Sequence, residues 1–186
     1  MINLAFLSLG TNIEPEKNLV AATQMLGDMT ELVATSSAWE SEAINANNRP
    51  ADNQPNYLNS AALVKTSLTP AQLKRKIIQQ IEQNLGRARQ ADKFAPRTID
   101  IDIMLFNEQI LRLGNRRIPD PEVLQRPFVA IPLAEIAPDY QHPETGQTLR
   151  EIAQQFAAKS GRMRYRADVS DALTKLTQAQ PGKVPA

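Results

Sequence analysis

Two aspartates, one residue apart, carry the clearest chemistry in this sequence. Asp100 and Asp102 lie in the segment TIDIDIMLF (98–106), whose β-branched residues and alternating polarity predict a strand. Side chains two positions apart in a strand share a face, so both carboxylates should project opposite the neighbouring isoleucines. Because aspartate disfavours strands, the pair indicates a function, and its spacing suits carboxylates that converge on two divalent cations. The alternative is ordinary polar alternation on a solvated face.

Positive charge is concentrated directly before these aspartates. From Lys74 to Arg97 the sequence has seven basic residues and two acidic ones. Arg87, Arg89 and Arg97 flank a loop that starts just after a predicted helix, and guanidinium groups bind phosphate oxygens in pairs of hydrogen bonds. Metal-binding carboxylates beside arginines are the parts that phosphoryl-type transfer needs. The alternative is a solvated basic face that binds RNA.

Three aromatic residues and an asparagine indicate a site for a planar ring. Tyr57, Phe94 and Phe128 lie in or beside polar segments, outside the cleanest apolar patterns. Flat side chains can sandwich a heterocycle. Asn59 shares the strand face of Tyr57 and can hydrogen-bond to ring nitrogens. The alternative for these aromatic residues is a place in the ordinary core.

The composition excludes several classes of site. The chain has 186 residues, 42% of them hydrophobic, and a net charge of +1, which is typical of one folded domain and not of a globally basic nucleic-acid binder. It has no cysteine and one histidine, His142, which the proline-bearing segment YQHPETG predicts to be on the surface. Any metal should therefore be a hard cation on carboxylates. No glycine-rich phosphate loop is present, and no signal peptide opens the sequence, so we expect a cytoplasmic protein.

The elements that must position these residues follow from periodicity and turn chemistry. The N-terminal half predicts a strand at 2–9, a helix that Gly27 ends, a strand at 31–40, a long polar loop at 43–56 and a strand at 57–67.

Periodicity and turn chemistry also predict the elements of the C-terminal half. A helix with a Thr69–Gln72 capping box ends at Gly86 and leads to the strand at 98–106; short pieces fill 121–136, and a last helix begins at Leu149. The order β-α-β-β-α-β predicts an α+β, ferredoxin-like fold: an antiparallel sheet with its helices on one face, followed by helical additions. We expect one domain over 1–160 and an extension over 161–186 that is frayed after about residue 170.

Four segments resemble one enzyme family. They are LSLGTN (7–12), NYLNSA (56–61), NLGRARQADKFAPRTIDIDIMLF (84–106) and RPFVAIPLAEIAP (126–138). In this order and spacing they resemble 6-hydroxymethyl-7,8-dihydropterin pyrophosphokinases over about residues 2–158. The resemblance implies the ferredoxin-like fold and an enzyme that transfers the β,γ-diphosphate of ATP to a pterin hydroxymethyl group and releases AMP. We expect a monomer without a nucleic-acid or membrane partner.

The resemblance also implies roles for individual residues. Asp100 and Asp102 would bind two Mg²⁺ ions. The phosphates and the nucleotide would be held by Arg87, Arg89, Arg97, Arg126, Gln79, Glu82 and Ile103. The pterin would be bound by Gly10, Tyr57, Asn59, Phe94 and Phe128. We expect the loops 43–56 and 86–96 to close over the substrates.

The sequence departs from the family pattern at several positions. Asp120 follows Pro119 where the family carries histidine, and SEAINANN replaces a Pro-Pro-x-Gly stretch. Ala95 replaces a glycine, and the chain extends past the usual end. These departures leave open a paralogue that acts on a modified pterin, or a weakened enzyme. Two further alternatives are an RNA-binding module on the same fold and a nucleotide-sugar transferase that uses Asp-x-Asp.

Overall fold

A computed structural model describes residues 2–43, 51, 54–87, 95–156 and 163–179. The first half contains β1 (Asn3–Thr11), α1 (Pro15–Met29), β2 (Glu31–Thr35), β3 (Trp39–Ser41), β4 (Tyr57–Thr66), α2 (Pro70–Leu73), a π-helical segment (Lys74–Ile78) and α3 (Gln79–Asn84). The second half contains β5 (Asp100–Phe106), β6 (Leu111–Leu113), β7 (Arg116–Ile118), α4 (Glu122–Gln125), α5 (Pro127–Ile136), α6 (Leu149–Gln154), β8 (Met163–Tyr165) and α7 (Ala167–Gln178).

The main sheet is antiparallel in every pair that the structure describes. Its order is β5-β1-β4-β3-β8, and β2 also pairs with β4; β6 and β7 form a separate hairpin. The register places Gly10 of β1 opposite Asp100 on one side and opposite Asn59 of β4 on the other. Ser8 lies opposite Asp102. The central strand therefore brings the predicted metal-binding strand and the predicted ring-binding strand to the two sides of one glycine.

Each face of the sheet has its own core. Leu7 and Leu9 of β1 pack with α1, the helical segment after β4 and α7, whereas Phe6 packs with α5 and α6 on the opposite face. This alternation is the period of two that a strand buried on both faces requires. The two helices of the β-α-β-β-α-β unit share one face, as the sequence predicts, and α5 and α6 are additions on the other. The end of that second face that α5 and α6 leave open carries the site.

Local sequence signals account for the helix ends. Thr69 Oγ1 accepts from Gln72 N at 3.3 Å while Gln72 Oε1 accepts from Thr69 N at 3.0 Å, which is the predicted capping box. Gly86 follows the helix with φ 73°, where a side chain would be strained. The prediction that Gly27 ends α1 is wrong: the helix continues to Met29, because packing of its buried stripe outweighs the roughly 1 kcal/mol cost of an internal glycine.

Two other element predictions are corrected. The strand expected at 31–40 is divided into β2 and β3. Between them Ser36 Oγ accepts from Ala61 N of β4 at 2.8 Å, so a side chain takes the place of a backbone carbonyl in the pairing with β4. The tail expected to be frayed after about residue 170 is helical as far as Gln178, since Val169 and Leu173 of α7 are buried against α1 and β2. The expected domain boundary at 160/161 lies outside the described residues.

Among the described residues, no helix combines the length and apolar character that crossing a bilayer requires.

Candidate active site

The two aspartates lie side by side at the open end of β5. Ile101 and Ile103 are buried in the core of the first face, and Asp100 and Asp102 project from the other face together with Met104. Their side chains are 13% and 15% exposed. The predicted separation of the aspartates from the isoleucines is therefore present. The carboxylates are largely withdrawn from water, which rules out a simple solvated face.

Four cationic side chains surround this pair. Asp100 forms ion pairs with Arg87, whose Nη1 lies 2.6 Å from Oδ1, and with Arg97 through Oδ2. Asp102 lies 3.3 Å from Lys74 Nζ through Oδ1 and 2.8 Å from Arg116 Nη1 through Oδ2. The cations come from the helix after β4, from the segment before β5 and from the β6–β7 hairpin, so three separate parts of the chain converge on two carboxylates.

A third carboxylate lies beneath this cluster. Glu82 of α3 is 3% exposed. Its Oε1 accepts from Ile101 N at 3.1 Å, pairs with Arg87 Nη1 and lies 3.8 Å from Lys74 Nζ. This buried carboxylate ties the helix to β5 and fixes two of the cations. Glu82 thus acts on the site through Arg87 and Lys74, from below the cavity.

The electrostatics of the pair favour a bound cation. Burial raises the pKa of Asp102, and the neighbouring Asp100 raises it further, with Lys74 and Arg116 opposing both effects. Asp100 Oδ1 is buried and receives no hydrogen bond of acceptable geometry, despite the nearby Arg87 Nη1. A divalent ion on these oxygens would relieve the repulsion and supply the missing partner. Hard oxygen donors suit Mg²⁺. Within the described residues, no group of three or more acidic, histidine or cysteine side chains is arranged to hold a metal ion, so phosphate and water would supply the other coordination positions.

A cavity of about 410 Å³ extends from the aspartates across the sheet. It is lined by strand residues, by the segment after β3 and by residues of the β7–α5 region. The lining consists of Ser8, Gly10, Ser41, Glu42, Tyr57, Asn59, Arg97, Asp100, Asp102, Met104, Arg116, Glu122, Arg126 and Phe128. The volume is within the range of small-molecule sites.

The end of the cavity away from Asp102 has the features of a ring-binding wall. Tyr57 and Phe128 are half-buried. Asn59 is 5% exposed, and its Nδ2 donates to Ser41 Oγ at 2.9 Å and to Trp39 O at 3.2 Å. These bonds turn the amide oxygen towards Gly10, where an added Cβ would lie 3.6 Å from it. The asparagine therefore presents a fixed acceptor over a strip of backbone that has no side chain.

Comparisons with known proteins bear on this arrangement. Residues 6–138 match the model of the family described as 7,8-dihydro-6-hydroxymethylpterin-pyrophosphokinase. The chain belongs to this pyrophosphokinase family. A 2-amino-4-hydroxy-6-hydroxymethyldihydropteridine pyrophosphokinase from Pseudomonas aeruginosa is 37% identical over 155 residues, which cover 82% of this chain and 91% of that protein. One from a Synechocystis strain is 36% identical over 154 residues, covering 81% and 75%.

The fold agrees with a solved structure of the family. A crystal structure of Plasmodium falciparum HPPK-DHPS with pterin and p-hydroxybenzoate matches with a TM-score of 0.67 at 15% identity. The match covers 89% of this chain and 45% of the Plasmodium chain, so this chain spans less than half of that larger protein. The predicted ferredoxin-like fold of the pyrophosphokinase family is confirmed.

The structure brings together most of the residues that the sequence singles out. Around the cavity lie Gly10, Tyr57, Asn59, Arg97, Asp100, Asp102, Arg126 and Phe128. Arg87 reaches Asp100 from outside the cavity lining, and Gln79 is half-buried on α3. Ile103 is buried among core residues, which does not place it on the cavity wall. Arg89 and Phe94 lie outside the described residues, as does most of the 43–56 loop.

Several lining residues were not found from the sequence. Ser8 could have been found from its place two positions before Gly10 on the same strand face. Ser41 and Glu42 close the wall next to Asn59 because β3 pairs with β4, a pairing that sequence periodicity does not specify. Arg116 and Glu122 reach the cavity from the β6–β7 hairpin and α4, and no local signal connects either residue to β5.

The prediction for His142 is wrong. His142 was expected on the surface but is only 1% exposed. It is buried because the segment around it folds back on itself: His142 N donates to Gln147 O at 2.8 Å, and Leu149 N donates to Tyr140 O at 2.9 Å. His142 Nδ1 accepts from Glu144 N at 3.3 Å. The ring is a structural element of this turn and does not line the cavity.

Proposed function

We propose that this chain transfers the β,γ-diphosphate of ATP to the hydroxymethyl group of 6-hydroxymethyl-7,8-dihydropterin, releasing AMP, as a step in folate biosynthesis. One observation carries the proposal. The carboxylate pair of Asp100 and Asp102, ringed by cations, forms one end of a cavity whose other end holds Tyr57, Asn59 and Phe128. The two ends suit the two substrates that the resemblance implies, a nucleoside triphosphate and a pterin.

The reaction that fits this layout is a displacement at the β-phosphorus. The hydroxymethyl oxygen forms a bond to that phosphorus and loses its proton, while the bond to the oxygen shared with the α-phosphate breaks and AMP leaves. The chain's contribution is to place the two reactants and to neutralise negative charge. Arg97 and Arg126 line the cavity and are suited to bind the transferred phosphates. We infer that Arg87, held against Asp100, supports the same region.

Magnesium has a defined place in this proposal. The described lining of the cavity contains four carboxyl groups and three guanidinium groups. With more carboxyl than guanidinium groups, the lining does not by itself attract a highly negative triphosphate. Added cations are therefore required for the triphosphate to bind. Asp100 and Asp102 would hold Mg²⁺, whose role is to neutralise the phosphate oxygens and orient the displacement. We propose two ions because Asp100 and Asp102 lie two positions apart on one face of β5, a spacing that suits carboxylates that converge on two divalent cations.

The pterin end is proposed from shape and hydrogen-bonding capacity. Tyr57 and Phe128 are placed to contact the faces of the ring. Asn59 offers its fixed carbonyl oxygen to a ring N–H group, and Gly10 allows the ring to approach the backbone of β1. Phe94 and Arg89 are proposed to act from the segment between the described parts of the chain. We also propose a monomer in the cytoplasm, without a nucleic-acid partner.

Identification of the nucleotide product tests this function. Wild-type protein with ATP, Mg²⁺ and 6-hydroxymethyl-7,8-dihydropterin should form AMP, seen by chromatography, and should form none when the pterin is omitted. Asp100→Asn and Asp102→Asn should each lower the rate by about 10²–10³-fold. Asp139→Asn is the matched control, because the Asp139 side chain is 84% exposed and pairs only with Arg150 among the described residues.

Two results would overturn the proposal. The first is release of ADP, which would indicate transfer of a single phosphoryl group. The second is full activity in either Asp100→Asn or Asp102→Asn while circular dichroism shows both variants folded. The RNA-binding alternative predicts no nucleotide turnover and a salt-dependent complex with single-stranded RNA.

A further inference from the structure

Arg116 is a cavity residue to which neither the sequence nor the family comparison assigns a role. It begins β7 on the β6–β7 hairpin, and its side chain is 50% exposed. Its Nη1 lies 2.8 Å from Asp102 Oδ2 and 3.4 Å from Asp120 Oδ2. Within the described residues, Nε and Nη2 have no hydrogen-bond partner. One corner of the guanidinium is thus held by carboxylates while its other donors remain available at the cavity rim.

Asp120 gives this arginine a rigid support. Asp120 is 6% exposed, its backbone N donates to Met104 O at 2.8 Å, and its Oδ1 accepts from Glu122 N at 3.0 Å. These contacts fix the carboxylate against β5 and the start of α4. Its second oxygen faces Arg116. Asp120 stands where the resemblance implies a histidine. Its negative charge is paired with the Arg116 guanidinium and does not face the cavity directly.

The two carboxylates on Arg116 differ in what a metal ion would do to them. An ion held by Asp102 would compete with Arg116 for the same oxygens, whereas Asp120 is held by Glu122 N through Oδ1, keeps Oδ2 for Arg116 and does not line the cavity. Loss of the Asp102 contact would leave Arg116 tethered to Asp120, with Nε and Nη2 available on a half-exposed side chain that lines the cavity. Guanidinium donors of this kind bind phosphate oxygens in charge-assisted hydrogen bonds.

We propose that Arg116 is a phosphate-binding residue of the nucleotide site and that Asp120 is its positioning residue. The inference rests on the proposed function, since it assigns the phosphates to those of ATP. In this chain the Arg116–Asp120 pair takes the place of a single residue: the acidic side chain supplies the anchor and the arginine supplies the contact to the nucleotide.

Equilibrium binding of α,β-methylene-ATP in the presence of Mg²⁺ tests the inference without turnover. Isothermal titration calorimetry should give a Kd about tenfold higher for Arg116→Met than for the wild-type chain, equivalent to one charge-assisted contact at a half-exposed site. Arg117→Met is the matched control. It removes the same charge from the next position of the hairpin, where Arg117 pairs with Glu144 and does not line the cavity, and it should bind like wild type.

The positioning role has a separate readout. Asp120→Asn keeps the acceptor for Glu122 N and removes the charge that holds Arg116. Its Kd should rise about threefold in the wild-type background and should not rise further in the Arg116→Met background, because Asp120 acts through Arg116. Arg116→Lys should recover part of the affinity. A purely structural effect of Asp120 would instead lower affinity by the same factor in both backgrounds.

The contrary results are distinct from failure of the proposed function. In the contrary case, Arg116 only neutralises Asp102 when no metal ion is bound and makes no contact with the nucleotide. Arg116→Met will then bind the analogue as tightly as wild type or more tightly, and the inference is wrong. Equal weakening by Arg116→Met and Arg117→Met would also refute it, since this would indicate a general charge effect. Absence of AMP formation by the wild-type chain would overturn the proposed function, whatever the binding constants of the variants.

Discussion

The buried carboxylate of Glu82 allows a prediction whose size follows from its contacts. Glu82→Gln preserves the shape of the side chain and an acceptor for Ile101 N, and removes only the negative charge. Arg87 and Lys74 then lose one anionic partner each. The variant isolates the electrostatic role of a residue that lies under the site and does not line the cavity.

The expected loss of stability is about 2 kcal/mol. Hydrogen bonds to charged groups are worth roughly 1.5–3 kcal/mol, and removal of one partner of a buried ion pair costs about 3–5 kcal/mol when the other is left alone. Here neither cation is left alone: Arg87 keeps Asp100 at 2.6 Å, and Lys74 keeps Ile101 O at 2.8 Å and Asp102 at 3.3 Å. The value therefore falls at the lower end, and the Tm should fall by about 4–8 °C in a chain of this size.

Urea denaturation followed by circular dichroism measures this loss. Glu31→Gln is the control, because Glu31 also pairs with a lysine at 2.8 Å, but the side chains of Glu31 and Lys65 are 31% and 42% exposed. That exposed pair should contribute less than about 1 kcal/mol. If Glu82→Gln lowers the free energy of unfolding no more than Glu31→Gln does, burial does not strengthen the ion pairs of Glu82. A larger fall in kcat than in nucleotide affinity would further support the role of Glu82 in fixing Arg87.

Three other changes test separate parts of the account. Gly10→Ala should stay folded, since its Cβ meets only Asn59 Oδ1 at an ordinary 3.6 Å, and should raise the pterin KM about tenfold; an unchanged KM would place the ring elsewhere. Burial lowers the pKa of His142, so the unfolded chain takes up a proton first as pH falls below about 6.5, and stability drops through that range. His142→Gln should flatten the urea midpoint between pH 7 and 5, and an equally steep curve would assign the effect to other groups. Leu173→Ala, at a residue that is 0% exposed, should cost about 3 kcal/mol in urea denaturation, whereas a frayed tail predicts almost no change.

The parts of the site on continuous strands were accessible from the sequence. Asp100 and Asp102 alternate with buried isoleucines, and a period of two places them together whatever the rest of the chain does. The capping boxes at Thr69 and Thr148 likewise act through residues three positions apart, and both are present. Such features need only local geometry, so the order of elements and the fold class followed from them.

The remaining parts depend on tertiary packing. Arg116 reaches Asp102 because a short hairpin folds against β5, and His142 is buried because its turn closes on itself. The stability of α7 comes from burial of Val169 and Leu173 against α1 and β2, which a polar C-terminal sequence does not indicate. The resemblance implies that Glu82 contacts the nucleotide. In the structure Glu82 lies two helical turns after Lys74 and pairs with Arg87 and Lys74 below the cavity.

The most direct measurement counts metal ions at the carboxylate pair. Electron paramagnetic resonance of Mn²⁺, used in place of Mg²⁺, reports how many ions each chain binds together with α,β-methylene-ATP. We expect two ions per wild-type chain, and loss of both with retention of the fold in the double variant Asp100→Asn and Asp102→Asn. An unchanged number of bound ions in that double variant would contradict this expectation.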